Sequence, residues 1–306
     1  MALPSRGKIT VRQTSSPVPR QARARVALAP DDDQPGPAAP IVKWAGGKSR
    51  LLDELVARAP ERYRRYFEPF VGGAALYFRL RPRLAVLSDS NADLINMYRC
   101  VAGHAEAVIQ RLARHRAAHG SDYYYGVRER WNQPGGFEAD VDRAAAFIYL
   151  NKTCYNGLWR VNSRGRFNVP LGRYEDPAIF DHLQLRAASR MLQRAELGAH
   201  HFADAVEKAR AGDFVYFDPP YHPLSDTAHF TSYTAMSFGA DDQRELARVA
   251  RALVRRGCTV VVSNSDTAFV RELYRGFLID VVDCARAINS KASARGPQRE
   301  LIIRGE

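Results

Sequence analysis

The residues best suited to chemistry stand together in one short segment, Asp218-Pro219-Pro220-Tyr221. Within it are a carboxylate, a carbonyl group at Pro219 that a stiff turn holds in place, and an aromatic ring at Tyr221. The carboxylate and the carbonyl could each accept one hydrogen of an exocyclic amino group, while the ring stacks on the heterocycle that bears it. We therefore treat Asp218, Pro219 and Tyr221 as candidate catalytic residues.

The four residues before this segment predict the strand that positions it. Phe214–Phe217 are all apolar and three of them are aromatic, which is typical of a buried strand. The two prolines prevent the strand from continuing. In open α/β sheets, ligands bind at the carboxyl ends of the strands, where Asp218 would lie. The alternative is a strand terminator with an acid on the surface.

The chemistry that fits these groups is methylation of an adenine amino group. The lone pair of that nitrogen is conjugated with the ring, so the nitrogen is a poor nucleophile, whereas a sulfonium methyl group is already activated by its leaving group. We therefore expect no metal, and the protein has to supply position and polarity. A base inside a duplex cannot reach such a pocket, so base flipping is implied.

A glycine turn upstream predicts where a nucleoside-bearing ligand would bind. Residues 66–73 and 74–80 are typical of a strand, a glycine turn and a helix, in which glycine lets the backbone approach a ligand. The next strand, residues 84–87, is followed by Asp89 about twenty residues after the first strand, where an acid bonds ribose hydroxyls. The alternative for Asp89 is a helix N-cap.

A second glycine turn precedes a helix predicted over residues 50–59. Lys48 follows Gly46-Gly47, and Ser49 could cap the helix. Backbone amides at a helix start favour anions, and Lys48 adds a positive charge. The spacing is not that of a P-loop, and a purely structural turn is the alternative.

Residues 121 to about 200 interrupt the alternation of strands and helices and suggest an inserted, mainly helical domain. Helices are also predicted over residues 183–197 and 205–211, and a long polar loop beside the site over residues 222–240. Within residues 151–174, basic, amide and aromatic side chains interleave, and the pattern around Ser163-Arg164-Gly165 predicts a β-hairpin. Arginine can read guanine, asparagine can read adenine, and aromatic rings can stack on bases or wedge between them. DNA contact, with Arg164 near the hairpin tip, is therefore the hypothesis; a solvated loop is the alternative.

Composition favours a nucleic-acid partner. The 306 residues carry a formal net charge of +12, which attracts polyanions, with DNA or RNA considered before an anionic membrane. Four scattered cysteines without a C-x-x-C pair suggest neither disulfides nor zinc and fit a reducing compartment. No apolar run reaches the roughly 20 residues of a membrane span. Residues 1–40 hold seven of the 17 prolines and are predicted to be a disordered basic arm.

The motifs together resemble the Dam family of DNA adenine-N6 methyltransferases from residue 41 to the end. The resemblance rests on Lys43-Trp44-Ala45-Gly46-Gly47-Lys48, Phe67-Glu68-Pro69-Phe70-Val71-Gly72-Gly73, Ser88-Asp89-Ser90-Asn91, Tyr155-Asn156-Gly157-Leu158-Trp159-Arg160, Gly165-Arg166-Phe167-Asn168-Val169-Pro170 and Asp218-Pro219-Pro220-Tyr221. It implies a Rossmann-like S-adenosylmethionine-dependent methyltransferase sheet with helices on both faces. The catalytic domain would comprise residues 41–100 and 200–306, and the inserted DNA-recognition domain, carrying the β-hairpin, residues 101–199.

The same resemblance implies roles for particular residues. S-adenosylmethionine would be the methyl donor, held by Trp44, Lys48, Gly72, Asp89 and Asp218. The partner would be double-stranded DNA with the recognition sequence GATC, contacted by Lys43, Asn156, Arg160 and Tyr174. Arg160 would read a guanine, Tyr174 would order the flipped site, and the loop with Arg286, Asn289, Ser290 and Lys291 would bind phosphates. Trp159 and the Ser163-Arg164 tip differ from the commonest family residues.

Further expectations concern assembly and location. We expect a monomer in the cytoplasm of a bacterium, or encoded by a phage, associated with the nucleoid and with no membrane. Two enzymatic alternatives stay open, an RNA methyltransferase and an N4-cytosine methyltransferase, because the same chemistry suits any planar amino group. A DNA-binding protein with an inactive methyltransferase fold is the third alternative.

Overall fold

A computed structural model describes residues 11–13, 38–44, 51–223, 238–284 and 298–306. Three predicted features lie outside these ranges. They are the Gly46-Gly47 turn with Lys48 and Ser49, most of the polar loop over residues 222–240, and the basic loop that contains Arg286, Asn289, Ser290 and Lys291. The roles assigned to them remain predictions.

The described residues form one sheet of eight strands. The strands are β1 Val11–Gln13, β2 Tyr66–Glu68, β3 Ala85–Ser88, β4 Ala195–Gly198, β5 Phe214–Phe217, β6 Thr259–Ser265, β7 Leu278–Cys284 and β8 Gln298–Gly305. Their order is β1-β7-β8-β6-β5-β2-β3-β4. All neighbours are parallel except at β8, which runs antiparallel between β6 and β7. From β2 the chain adds β3 and β4 on one side, and it then returns to add β5 and β6 on the other side of β2. The boundary between β2 and β5 is a topological switch point, which is where α/β sheets bind ligands.

Helices cover both faces of the sheet, as predicted. They are α1 Leu52–Arg58, α2 Ala75–Leu80, α3 Ala92–Ala117, α4 Ser121–Trp131, α5 Asp140–Thr153, α6 His182–Leu192, α7 Phe202–Ala205, α8 Ala240–Arg255 and α9 Ala268–Leu273, with a 3-10 turn at Tyr155–Gly157. On β5, Phe214 and Tyr216 pack into the core that includes α2, α3 and α5. Val215 and Phe217 pack into the core beneath α8 and α9. Burial on both faces explains the uninterrupted apolar run of this strand.

Two of the predicted helices are wrong in part. The helix predicted over residues 183–197 ends at Leu192, and Ala195–Gly198 form β4, which pairs with β3. The sheet therefore resumes inside residues 101–199, the range predicted for the insertion. The helix predicted over residues 205–211 is instead the short α7, which ends at Ala205. Within the predicted disordered arm, Val11–Gln13 pair with β7, because an edge strand leaves backbone groups for another strand to bond.

The inserted region shares its core with the sheet. Tyr124, Phe147 and Phe167 belong to the same buried cluster as Tyr66 and Leu87. Helix α3 changes direction at His104, whose backbone is not helical, and α5 packs along it. These residues are therefore packed against the sheet through a shared core.

Candidate active site

Asp218 lies at the topological switch point. Strand β5 pairs with β2, with Tyr66 opposite Phe214, so the segments that follow the two strands emerge side by side. The half-buried Asp218 thus lies next to the end of β2 and the glycine turn beyond it. The buried Pro219 follows, as the sequence predicted for a turn at the end of a central strand.

A buried hydroxyl fixes the Asp218 carboxylate. Pairing of Phe217 with Val262 brings the next residue of β6, Ser263, beside Asp218. The Ser263 hydroxyl donates to Oδ1 of Asp218 at 2.7 Å. Because this hydroxyl has one hydrogen, it accepts from the Tyr216 hydroxyl, 3.0 Å away. Ser263 is fully buried, so the geometry is imposed by the core.

The remainder of the Asp-Pro-Pro-Tyr turn is also held by side chains. Gln243 on α8 donates to the carbonyl of Pro220 at 2.9 Å. The Tyr221 hydroxyl donates to Oε2 of Glu300 on β8 at 2.8 Å. Burial, with further contributions from the negative charges of Asp218 and Glu300, raises the pKa of Tyr221 well above its usual range. Tyr221 therefore stays a neutral phenol. Its ring is held by the backbone turn at one end and by the bond from its hydroxyl to Glu300 at the other.

Glu68 places a second carboxyl group at the switch point. It is the last residue of β2, is only 3% exposed, and accepts a hydrogen bond from the Tyr66 hydroxyl at 2.9 Å. Burial raises the pKa of Glu68 well above its usual value, and the nearby charge of Asp218 raises it further. Glu68 therefore favours its protonated, uncharged form.

The glycine turn after β2 is tied to the end of β3. Gly72 has a φ of +44°, its N–H donates to Asp89 at 3.1 Å, and its carbonyl accepts from the Tyr98 hydroxyl at 2.7 Å. The other oxygen of Asp89 accepts from the N–H of Asn91 at 3.0 Å. Burial raises the pKa of Asp89. The N-cap of α3 is Asn91, so the alternative interpretation of Asp89 as a helix N-cap is wrong.

Trp44 forms one wall of this turn. A Cβ atom at Gly72 would lie 2.6 Å from Cδ1 of the Trp44 ring, so only glycine allows the two to approach this closely. On its other side, the Trp44 ring packs 6.1 Å from the ring of Phe147 on α5. Trp44, Gly72 and Asp89 thus form one cradle of an aromatic ring, a buried glycine backbone and a carboxylate.

Asn151 at the end of α5 joins the predicted DNA-contacting segments. Its side chain accepts from the N–H of Lys43 at 2.8 Å and donates to the carbonyl of Lys43 at 2.7 Å. It also donates to the carbonyl of Gly157 at 3.2 Å, next to the exposed Asn156. Asn151 is fully buried, so it clamps Lys43 against the 3-10 turn.

Tyr174 joins the same surface. The Lys43 ammonium group lies 3.3 Å from the Tyr174 hydroxyl and 4.8 Å from the centre of its ring. Gly172 is required here, because a Cβ atom at that position would lie 2.3 Å from the Tyr174 ring. Lys43, Asn156 and Tyr174 are therefore brought together although 131 positions separate the first from the last.

The predicted hairpin is present. Val161 bridges Phe167, and the Asn162 N–H bonds the Arg166 carbonyl at 2.9 Å. Arg160 donates to the side chain of Asn168 at 3.0 Å, and Arg164 is exposed at the tip. Trp159 stacks against Phe167 at 4.5 Å in the core, so it anchors the hairpin instead of facing outward.

Sequence reasoning did not identify four residues of this site: Glu68, Asn151, Ser263 and Glu300. Glu68 and Asn151 stood within quoted motifs, and the buried polar run Ser263-Asn264-Ser265 at the end of an apolar strand was a signal that could have been used. Among the described residues, no cluster of three or more His, Cys, Asp or Glu side chains could hold a metal ion. No helix in the described ranges is long and apolar enough to cross a membrane.

An α/β sheet with this turn and this cradle at its switch point is the arrangement of a methyltransferase. The chain belongs to the family described as D12 class N6 adenine-specific DNA methyltransferases, which it matches over residues 44–288. The resemblance to the Dam family inferred from the sequence is thereby confirmed.

Several curated proteins are similar over most of their length. A type II methyltransferase of Lactococcus lactis subsp. cremoris, M1.LlaDCHI, is 40% identical over 268 residues, which cover 86% of this chain and 94% of that protein. The type II methyltransferase M.MjaIII of Methanocaldococcus jannaschii is 41% identical over 273 residues, 84% of this chain and 94% of that protein. The DNA adenine methylase of Escherichia coli K12 is 38% identical over 265 residues, 86% of this chain and 93% of that protein.

Membership in this family implies S-adenosylmethionine as the methyl donor, and the described residues fit it. The cradle offers an aromatic ring at Trp44, which packs directly on the backbone of Gly72, and a carboxylate at Asp89 that can accept from hydroxyl groups. The predicted contribution of Lys48 lies outside the described ranges.

Proposed function

We propose that this protein methylates N6 of adenine within GATC in duplex DNA, after the adenine has been flipped out of the helix. S-adenosylmethionine, when bound, supplies the methyl group from its sulfonium centre. The observation that carries the proposal is the fixed position of Asp218, bonded by Ser263 at the end of β5 and adjacent to the strand that leads into the Gly72 turn.

Asp218, Pro219 and Tyr221 would act on the amino group together. The carboxylate accepts one N6 hydrogen and the Pro219 carbonyl accepts the other, which draws the nitrogen towards tetrahedral geometry and frees its lone pair for in-line attack. The bond from nitrogen to the methyl carbon would form as the bond from that carbon to sulfur breaks, and N6 would then lose one proton to solvent or through Asp218. Tyr221 stacks on the base, and its bond to Glu300 fixes the position of the hydroxyl end of the ring. Burial raises the pKa of Glu68, which disfavours a second negative charge near Asp218.

The DNA would lie across the surface formed by Lys43, Asn156 and Tyr174, with the hairpin beside it. Arg160 has a guanidinium group oriented by Asn168 and is suited to the major-groove edge of guanine. Arg164 at the exposed tip is suited to a phosphate. The sequence GATC is what the family resemblance implies for these residues.

Methyl transfer from labelled donor to short duplexes tests this function. We expect incorporation into a duplex with one GATC site, and none when the adenine of each strand is already N6-methylated. Replacing the target adenine with 2-aminopurine should give an increase in fluorescence on binding, as expected for an unstacked base. Duplexes in which one base of the site is exchanged define the recognition sequence.

The same assay separates the alternatives. Label found on cytosine N4, or preferential labelling of RNA, would replace the proposed substrate. Duplex binding without incorporation would favour the DNA-binding protein with an inactive fold. Incorporation into adenine at a sequence other than GATC would keep the chemistry and refute the proposed specificity.

A further inference from the structure

A cluster of exposed basic side chains lies at the edge of the sheet opposite Asp218, where the parallel strands begin. We call it the basic rim, and its residues are Arg62, Arg64, Arg83, Lys208, Arg210 and Arg256. These residues stand in the turns that lead into β2, β3, β5 and β6. None of them belongs to the site at the carboxyl ends of the strands.

Hydrogen bonds between the turns make the basic rim one continuous surface. The Arg64 N–H donates to the Gly212 carbonyl at 2.8 Å, and the Gly212 N–H donates to the Gly257 carbonyl at 2.9 Å. The carbonyl of Leu84 accepts from the Tyr66 N–H at 3.0 Å, which joins the turn before β3 to the start of β2. Four strand entrances, and the arginines on them, are therefore held side by side by the backbone.

Acidic side chains only partly offset the charge of the basic rim. Asp213 is buried and paired with Arg65 at 2.7 Å, so its negative charge is neutralised inside the protein and does not offset the charge of the basic rim. Glu61 and Glu207 are exposed acids in the same turns as the six basic residues, and the exposed Glu306 follows β8 at the same edge, where Gly305 pairs with Val260. The surface consequently keeps a clear positive excess.

The helix dipole accounts for only part of this excess. Basic residues at a helix C-terminus are favoured by the partial negative charge there, which explains Arg256 at the end of α8. Arg62 and Arg64 lie beyond the C-cap of α1 at Ala59. Lys208 and Arg210 follow α7, a helix of four residues. For these four residues, the helix dipole gives no reason for a positive charge.

We propose that the basic rim binds a second segment of duplex DNA, so that one chain holds DNA at both edges of its sheet. Duplex DNA carries about one negative charge per 1.7 Å of its axis, and guanidinium groups match the geometry of its phosphates. Duplex DNA is also the polyanion this family acts on, so it is the polyanion met at high local concentration. The proposal is independent of the assignment of Asp218 as a catalytic residue.

Sedimentation of the full chain with an excess of a short fluorescent duplex at low salt tests the proposal. The test variant is Arg64→Gln/Arg210→Gln, and the control is Arg114→Gln/Arg248→Gln, which removes the same number of exposed charges from α3 and α8. We expect two duplexes on the wild-type and control chains. The test variant should bind the second duplex at least tenfold more weakly, with a salt dependence reduced by about 2 in logarithmic slope.

The methyl transfer rate on a duplex with one site should be the same in both variants, since the basic rim is remote from Asp218. The proposal is overturned if the wild-type chain binds a single duplex, or if both variants weaken the second binding event equally. Tighter binding of single-stranded RNA than of duplex DNA at the second site would also overturn it. Because binding is measured without a methyl donor, failure of the proposed catalytic function would not imitate any of these outcomes.

Discussion

Ser263 on β6 donates a hydrogen bond to Oδ1 of Asp218 across the β5–β6 pair, at 2.7 Å. This bond makes Ser263 a positioning residue for the candidate catalytic carboxylate. Ser263→Ala should lower kcat by about 10- to 100-fold, the range expected for a lost hydrogen bond to a charged group, with little change in KM for DNA. Steady-state kinetics on a GATC duplex measures both constants.

Tyr216→Phe is the matched control for this prediction. It also removes one buried hydroxyl, but it leaves the bond between Ser263 and Asp218 intact. Both variants should lose thermal stability to a similar extent, while only Ser263→Ala loses most of its kcat. Equal loss of kcat in the two variants would show that Ser263 has a structural role alone.

Arg160 should determine specificity at one guanine. Arg160→Ala should cost about 1–3 kcal/mol at that position and relax discrimination there, as expected for the loss of a bidentate contact to guanine. Arg164→Ala, at the exposed tip of the same hairpin, should weaken binding evenly on all sequences. Methylation rates on duplexes with single base exchanges distinguish the two patterns, and an even loss for Arg160→Ala would make it a phosphate contact.

Asn151 should link stability to DNA binding. Asn151→Ala leaves the buried backbone groups of Lys43 without their partners, which should cost about 1–3 kcal/mol of unfolding free energy and weaken duplex binding. Thr153→Val removes a buried hydroxyl that donates to the Tyr149 carbonyl of its own helix at 2.7 Å. Denaturant unfolding should show a loss of stability in both variants, whereas duplex titration should show a loss of affinity in Asn151→Ala only. Normal duplex affinity in Asn151→Ala would refute the role of Asn151 in positioning Lys43 for DNA.

His115 on α3 should make the fold sensitive to acid. Burial lowers the pKa of His115 from 6.5 to about 4, and the ring stacks on Tyr149 at 4.8 Å. In the unfolded chain His115 becomes protonated below about pH 6.5, whereas in the folded chain it becomes protonated only near pH 4. The free energy of unfolding is therefore highest at neutral pH and decreases as the pH falls from about 6.5 to about 4. His115→Phe should unfold with a smaller stability difference between pH 7 and pH 4.5 than the wild type, and equal differences would contradict the assignment.

The sequence predicted the central strand, the glycine turn and the hairpin because each is defined by neighbouring residues. Phe214–Phe217 followed by two prolines needs no distant information. Strand β4 was missed because it has only four residues and lies at the sheet edge, so its alternation of Ala195, Glu196 and Leu197 is too short to stand out from the helical pattern before it. The roles of Ser263 and Asn151 depend on strand register and on contacts 45 and 108 positions away, which no local pattern specifies.

The most direct test of the account is the rate of methyl transfer to a GATC duplex by Asp218→Ala, with duplex binding measured on the same preparation. We expect the rate to fall by at least about 100- to 1000-fold, as when a preorganised electrostatic group is removed from an active site. The affinity for duplex should stay close to that of the wild type, because the Lys43, Asn156 and Tyr174 surface is unchanged. A rate within about tenfold of the wild type would contradict the central role assigned to Asp218.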